Sequence, residues 1–318
     1  KMEEKRIDPL QIIGFFLLFL VLIWMMYDQS ELMEQNAQLE ANTTAAQTQV
    51  DDDPQPRDVI VNSTSVLMDS IPEQITTLQN ELLRLAVTSK GGFIQEAELK
   101  QHTNHLNEQV FVVKDGNTDF NLRIEANGAL INTRDLDFLP ILDGNQLTMR
   151  SQVAGGTLDY IYTLSKERED SQAYRFQFGI RSSGLSVQPE TDLYWGLDGF
   201  RHALSADYEN RYTQLTYQYE GDKVQALSAM GEDDDKDKEV SWISYRQHFF
   251  SMIIIPSTHF NSIDVESSSL MNPDNSDDSV FLKRFETTTT IAAQNGDLNT
   301  SFDWFIGPTD YKILKTYD

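Results

Sequence analysis

Apolar and polar residues alternate with a period of two along most of this chain. In "AYRFQFGIR", Tyr174, Phe176, Phe178 and Ile180 fall on one face, with Arg175, Gln177, Gly179 and Arg181 on the other. "TLDYIYTLSK" alternates likewise through Leu158, Tyr160, Tyr162 and Leu164. "RYTQLTYQYEGDKVQAL" reads as a hairpin turning at Gly221-Asp222, and Gly91-Gly92 in "SKGGFIQEAELKQH" as a hairpin turn that needs positive φ. Further short strands are expected in "QVFVVKD", "FNLRIEA", "NQLTMRSQV", "VSWISYRQHFFSMIIIP", "VFLKRFETTTTIAA" and "TSFDWFIG". A long series of strands with few helical windows predicts a mainly β protein built as a sandwich. After the N-terminal segment, the one helical window is the tail "PTDYKILKTYD", where Thr309 or Asp310 stands at the capping position. Two polar stretches, Gly231 to Glu239 and Asn272 to Ser279, are expected to be exposed hairpin loops, and no repeat recurs at a fixed period.

The alternation is absent near the start. From Ile12 to Tyr27 no residue carries a charge or an amide, and Leu10 extends the run with only Gln11 intervening. About 18 to 20 such residues cross the hydrocarbon core of a bilayer, and a core helix of a soluble domain keeps a polar stripe that is missing here. The run ends in "WMMYDQSELME", with large side chains where a signal peptidase needs small ones, so it predicts an uncleaved anchor over residues 10–27. Lys1, Lys5 and Arg6 precede it, and no Lys or Arg occurs between Asp28 and Pro56. The positive-inside rule then keeps residues 1–9 in the cytoplasm and exports the chain beyond Tyr27. Residues 28–58, rich in Ala, Gln, Thr and Asp, form a flexible acidic linker, closed by Asp53-Pro54 and Gln55-Pro56. The exported β-domain is expected over 59–308, with 309–318 as a short helix leading back to the membrane.

The net charge of −25 over 318 residues argues against nucleic acid and against lying flat on anionic lipid. Absence of cysteine excludes disulfides, thiolate metal sites and cysteine nucleophiles. His102 and His105 have an i, i+3 spacing, but no third zinc ligand is indicated nearby, and they read as two surface loop histidines. "NPDNSDDS" fails as a calcium loop, with Asp277 where the turn needs Gly and Lys283 where a bidentate Glu belongs. There is no nucleophile elbow, dinucleotide fingerprint or phosphate loop. Three N-x-S/T sequons, at Asn42, Asn62 and Asn299, would matter only in a glycosylating pathway. The aromatic faces through Phe176, Phe178 and Trp304 read as sandwich core.

Several segments are similar to one family. "RIDPLQIIGFFLLFLVLIWMMY" resembles the first membrane segment of the bacterial YidC/Oxa/Alb membrane protein insertases. "SKGGFIQEAELKQH" resembles their early strand-turn-strand. "VSWISYRQHFFSMIIIP" resembles a segment built on Trp242, Gln247, Phe249, Phe250 and Pro256, and "FDWFIGPTDYKILKTYD" the aromatic-Gly-Pro strand end with its following helix. The matches keep their order over nearly the whole chain. The resemblance implies a periplasmic β-supersandwich, similar to sugar mutarotase folds, behind an anchor in the bacterial inner membrane. It implies a non-enzymatic insertase and chaperone that uses no cofactor or metal, and whose partners are nascent membrane proteins, the Sec translocon with its accessory subunits, and the lipid bilayer. The family's hydrophilic groove and its arginine belong to further membrane helices past the position of Asp318, so no catalytic, cofactor-binding or metal residue is carried over. A groove between sheets or a free strand edge is the expected place for an extended peptide. The competing expectation is an anchored sugar-binding or mutarotase-like protein. It requires some of His102, His105, His202, His248 and His259 to meet a carboxylate in one cleft.

Overall fold

A computed structural model describes residues 72–166 and 170–314; the predicted anchor and linker lie outside the described residues. No helix among the described residues is long and apolar enough to cross a membrane. The strands are β1 (Ile75–Gln79), β2 (Leu83–Thr88), β3 (Ile94–Thr103), β4 (Gln109–Val113), β5 (Thr118–Ala126), β6 (Ala129–Asn132), β7 (Leu139–Asp143), β8 (Gln146–Val153) and β9 (Gly156–Leu164). They continue as β10 (Arg175–Ser183), β11 (Glu190–Phe200), β12 (Gln214–Tyr219), β13 (Lys223–Ala226), β14 (Asp233–Arg246), β15 (Phe250–Pro256), β16 (Phe260–Ser269), β17 (Phe281–Gln294) and β18 (Asp297–Pro308). Strands β1 to β4 form a four-stranded sheet in chain order. The other fourteen form one sheet in the order β6-β5-β11-β17-β16-β14-β15-β18-β10-β9-β8-β7, with β12 pairing β14 and β13 pairing β12. The mainly β expectation is borne out.

The period-two faces are the core faces. Leu158, Tyr160, Tyr162 and Leu164 of β9 and Phe176, Phe178 and Ile180 of β10 are all buried, and β10 lies between β9 and β18. Both sheets feed one apolar cluster, with Leu83, Leu85, Val87 and Ile94 from the small sheet joining Phe178, Trp195 and Trp304 from the large one. The turn at Gly91 and Gly92 has φ of 69° and 66°, as expected. It carries Phe93 into the large sheet's aromatic cluster, stacked on Phe120 at 4.2 Å between ring centroids and edge-on to Trp304 at 5.8 Å. The Tyr162 hydroxyl donates to the Gly92 carbonyl at 2.8 Å inside this core.

Two expectations need correction. Gly231 to Glu239 is not a hairpin loop: from Asp233 onward it is the first half of β14, paired residue by residue with β16. Acidic residues disfavour strands only weakly, and local pairing outweighs that preference here. Asp235 and Asp237 share a face and both approach the buried Tyr217 hydroxyl at 2.7 Å, while Lys236 on the other face meets Asp264 of the partner strand at 2.5 Å. Secondly, helix is not confined to the tail. The tail helix, here α3, runs Tyr311–Leu314 as far as it is described, but α1 (Asp170–Ala173) and α2 (Ala206–Asn210) are additional. Ser205 caps α2 by accepting from the Tyr208 N–H.

Lys283 of β17 is fully buried without a paired carboxylate. Its Nζ donates to the carbonyls of Ser228 and Ala229 at 3.1 and 2.7 Å, fastening the loop between β13 and β14 to the sheet. Burial brings its pKa down to about 8. Below pH 8 the amine is protonated, and these two carbonyls take two of its three N–H donors.

Gly92 and Lys283 each give a measurable outcome. Alanine at Gly92 would hold φ +66° with its Cβ 2.8 Å from the Phe138 ring. Gly92→Ala should cost about 2–4 kcal/mol in thermal unfolding, through left-handed strain and overpacking together. For Lys283 the native pKa lies below the unfolded one, so the native state binds fewer protons between about pH 8 and 10.4. Stability of the wild type relative to Lys283→Met should therefore be flat below pH 8 and rise by roughly 2–3 kcal/mol towards pH 10.4. Paired urea titrations across that range measure it.

Candidate functional site

Five segments far apart in sequence gather around one cleft of about 800 Å³. They are the end of β3 with the turn after it, the loop that follows β11, the loop between β14 and β15, and the end of β18 running into α3. The fifth, α2, reaches the cleft's wall through the ring contact of Tyr208 with His248. Four of the five histidines line the cleft or its wall: His102, His105, His202 and His248, with Asp310 on the rim. His259 is exposed between β15 and β16, away from them. A second, smaller cavity of about 320 Å³ shares His105 and His202 and extends past Phe111 and Lys114.

His102 is not a loop residue but part of β3, half-buried, with Nε2 3.0 Å from the Tyr174 hydroxyl. His105 turns its Nδ1 to the His202 carbonyl at 2.9 Å. His248 packs between Tyr212 and Phe249, at 4.6 and 4.3 Å between ring centroids. Phe250 lies between His102 and His202, edge-on to both at 5.4 and 4.9 Å. The i, i+3 histidine pair therefore does not converge on a shared point. Among the described residues no group of three or more His, Asp or Glu is placed to hold a metal ion.

Glu209 is the residue that the strand pattern hid. It lies in α2, fully buried, and Oε2 accepts from the backbone N–H groups of His202 and Ala203 at 2.8 and 2.7 Å. Its Oε1 is 3.6 Å from His202 Nδ1. A carboxylate buried this way is held by charge-assisted backbone bonds, which shape the loop at the mouth of the cleft. The available signal was "SADYE", a capping serine followed by an acidic residue one turn on. By position, histidines and a carboxylate do meet in one cleft. By bonding, the rings of His102 and His105 are engaged with Tyr174 and with backbone, and Glu209 is committed to two amides. The arrangement braces a concave, aromatic-lined rim more than it presents an acid–base pair. The Tyr208 hydroxyl on that rim is raised above the ordinary tyrosine range by its hydrogen bond to Tyr212.

Residues 75–318 match the family model described as the YidC periplasmic domain. The membrane protein insertase YidC of Parabacteroides distasonis is 30% identical over 257 residues, covering 77% of this chain and 39% of that protein. Its counterpart in Azobacteroides pseudotrichonymphae is 26% identical over 322 residues, covering 98% of this chain and 51% of that protein. The chain thus spans about half or less of the length of these curated relatives. Among solved structures, a galactose mutarotase related enzyme from Lactobacillus acidophilus is similar with a TM-score of 0.48 at 11% identity, over 75% of this chain and 99% of that one.

Glu209→Ala leaves the backbone N–H groups of His202 and Ala203 without their acceptor. It should destabilise the domain by about 3 kcal/mol, whereas Glu209→Gln, which keeps one carbonyl oxygen, should cost about half as much. Urea unfolding of the two variants separates these values, and equal losses would mean that Oε2 is not the acceptor that matters.

Proposed function

The chain belongs to the YidC family through its periplasmic domain, and from that premise we propose that it is the anchored, exported portion of a membrane protein insertase. The observation that carries this is the match of residues 75–318 to the family's periplasmic domain. The apolar run at 10–27 supports an inner-membrane position with the N-terminus in the cytoplasm. The role is non-covalent: a hydrophobic segment entering the bilayer has to be held and oriented while its polar flanks remain in water.

The linker gives the domain's part a physical scale. Were the 31 residues from 28 to 58 the tether that their composition predicts, its root-mean-square span would be about 30 Å. A β-domain kept that close to the membrane meets partners on the same surface at an effective concentration in the millimolar range. Weak contacts with nascent membrane proteins, or with the Sec translocon beside them, then suffice for assistance. Such contacts would not hold a soluble domain in place.

The reading is tested by depleting the protein that contains this chain and pulse-labelling a newly made inner-membrane protein. Its periplasmic loops should become several-fold less accessible to externally added protease within one round of depletion. Unchanged insertion of every substrate tried would overturn the proposal. The orientation is tested separately with Gln152→Cys: a membrane-impermeant maleimide should label it once the outer membrane is permeabilised, without lysis of the inner one.

A further inference from the structure

The cleft's rim gathers exposed apolar side chains from several loops, whereas the other exposed apolar group, Leu139, Ile141 and Leu142, lies along the single edge strand β7. Leu106, Leu204, Tyr208, Tyr212, Phe249 and Tyr311 are all exposed, Leu204 and Tyr311 at 76%. They come from separate segments: the turn after β3, the loop before α2, α2 with the turn after it, the loop between β14 and β15, and α3. No single element's core-facing pattern explains their gathering. They are also connected. Tyr208 and Tyr212 lie 5.3 Å apart between ring centroids, both contact His248, and His248 contacts Phe249.

The opposite ends of the same strands look different. There the turns at Asn127-Gly128, Ala154-Gly155 and Asn295-Gly296 carry small and polar residues, and Asn127 Nδ2 donates to the Ala154 carbonyl at 2.9 Å. Strand β11 runs from Glu190, paired with Ala292 near those turns, to Phe200 beside the rim. At about 3.3 Å per residue its 11 residues separate the two ends by roughly 35 Å. The rim end also carries a glycine turn, Asp115-Gly116, but it is there that tyrosine, histidine and phenylalanine rings cluster at the loop tips.

We propose that this rim is a contact for the bilayer interface, with the tips around Leu204, Phe249 and Tyr311 entering the headgroup zone and the cleft opening towards the membrane. The chemistry of the tips selects that occupant. Tyrosine and histidine pair an apolar body with a polar end, which suits the boundary between headgroups and acyl chains. The contact is shallow, with the carboxylates of Asp207 and Asp310 beside the tips left in water. The chain's net charge of −25 repels anionic lipid from most of its surface, so an apolar rim is the means by which it could touch a bilayer. A second copy fits poorly, because a concave rim of protruding tips is not complementary to itself. The inference rests on the anchored reading above, which places a bilayer within reach.

The chain has no cysteine, so one introduced thiol is a unique label. The full chain is prepared as Leu204→Cys, Tyr311→Cys and Gln152→Cys, coupled to bimane and reconstituted in phosphatidylethanolamine–phosphatidylglycerol vesicles with or without doxyl-labelled lipid. Quenching at positions 204 and 311 should exceed that at 152 by about threefold or more, as for side chains held in the interface. Adding Phe249→Ser to Tyr311→Cys should lower its quenching towards the Gln152→Cys value while the unfolding midpoint stays at that of the parent. Equal quenching at the three positions overturns the proposal. So does a label at position 204 that is shielded in detergent in proportion to protein concentration, since that marks contact between copies. Flotation is read on the same samples: a chain that floats but shows equal quenching loses the rim contact alone, and a chain that does not float loses the anchored reading and this one together.

Discussion

Phe93 holds the two sheets together, and its position depends on the two residues before it. Gly91 and Gly92 both take left-handed φ, and Gly92 leaves no room for a Cβ beside the Phe138 ring. That backbone turns the chain out of β2 and delivers an aromatic ring between Phe120, Phe178 and Trp304. Ring pairs of this kind contribute about 0.5–1.5 kcal/mol each beyond the area they bury. The small sheet thus joins the large one through a tight turn and one ring, in addition to its own apolar face. The stacked pair Trp195 and Tyr245, at 3.7 Å, continues the same cluster, with the Tyr245 hydroxyl donating to the Trp195 carbonyl at 2.8 Å. Burial raises that hydroxyl well above the ordinary tyrosine range, so it stays protonated and available as a donor.

The β class was legible because the core is assembled from strands half buried in strict alternation. In β9 and β10 one face is Leu, Tyr, Phe and Ile and the other is polar, which is the pattern a one-sided sheet imposes. It failed at β14, whose first half is almost all charged. Nothing in "DDDKDK" signals a strand by propensity, and its support is supplied from a distance: Tyr217 from β12 on one face and Asp264 from β16 on the other. Such partners appear only once the register is known. The short α2 was missed for a related reason. Its five residues are too few to show a helical period, and its cap and buried Glu209 serve the loop beside it instead of a helix face.

The cleft was not legible as a place. His102, His105, His202 and His248 were visible as residues, but their convergence depends on β3, β11 and the β14–β15 loop ending on the same side of the fold. Strand order in a sheet of this size is set by long-range pairing, which local pattern does not encode. The choice of residue at each tip, by contrast, was open to reading. Leu204, Phe249 and Tyr311 each fall outside a strand, where no alternating pattern assigns them to the core.

The rim and the chain's exit are mechanically one unit. Thr309, between β18 and α3, donates its N–H to the Phe249 carbonyl at 2.7 Å, and its hydroxyl lies 3.0 Å from that of Ser251 in β15. Ile306 donates to the Tyr174 carbonyl, and the Tyr174 hydroxyl in turn meets His102 across the cleft. Gly307 permits this closeness, since a Cβ there would stand 2.8 Å from the Tyr174 ring. The last residues of β18 are therefore bonded at once to the loop bearing Phe249 and to the wall bearing His102. The residues so fastened, Ile306 and Thr309, stand just before α3. The residues leading into α3 and the aromatic rim thus share one set of hydrogen bonds.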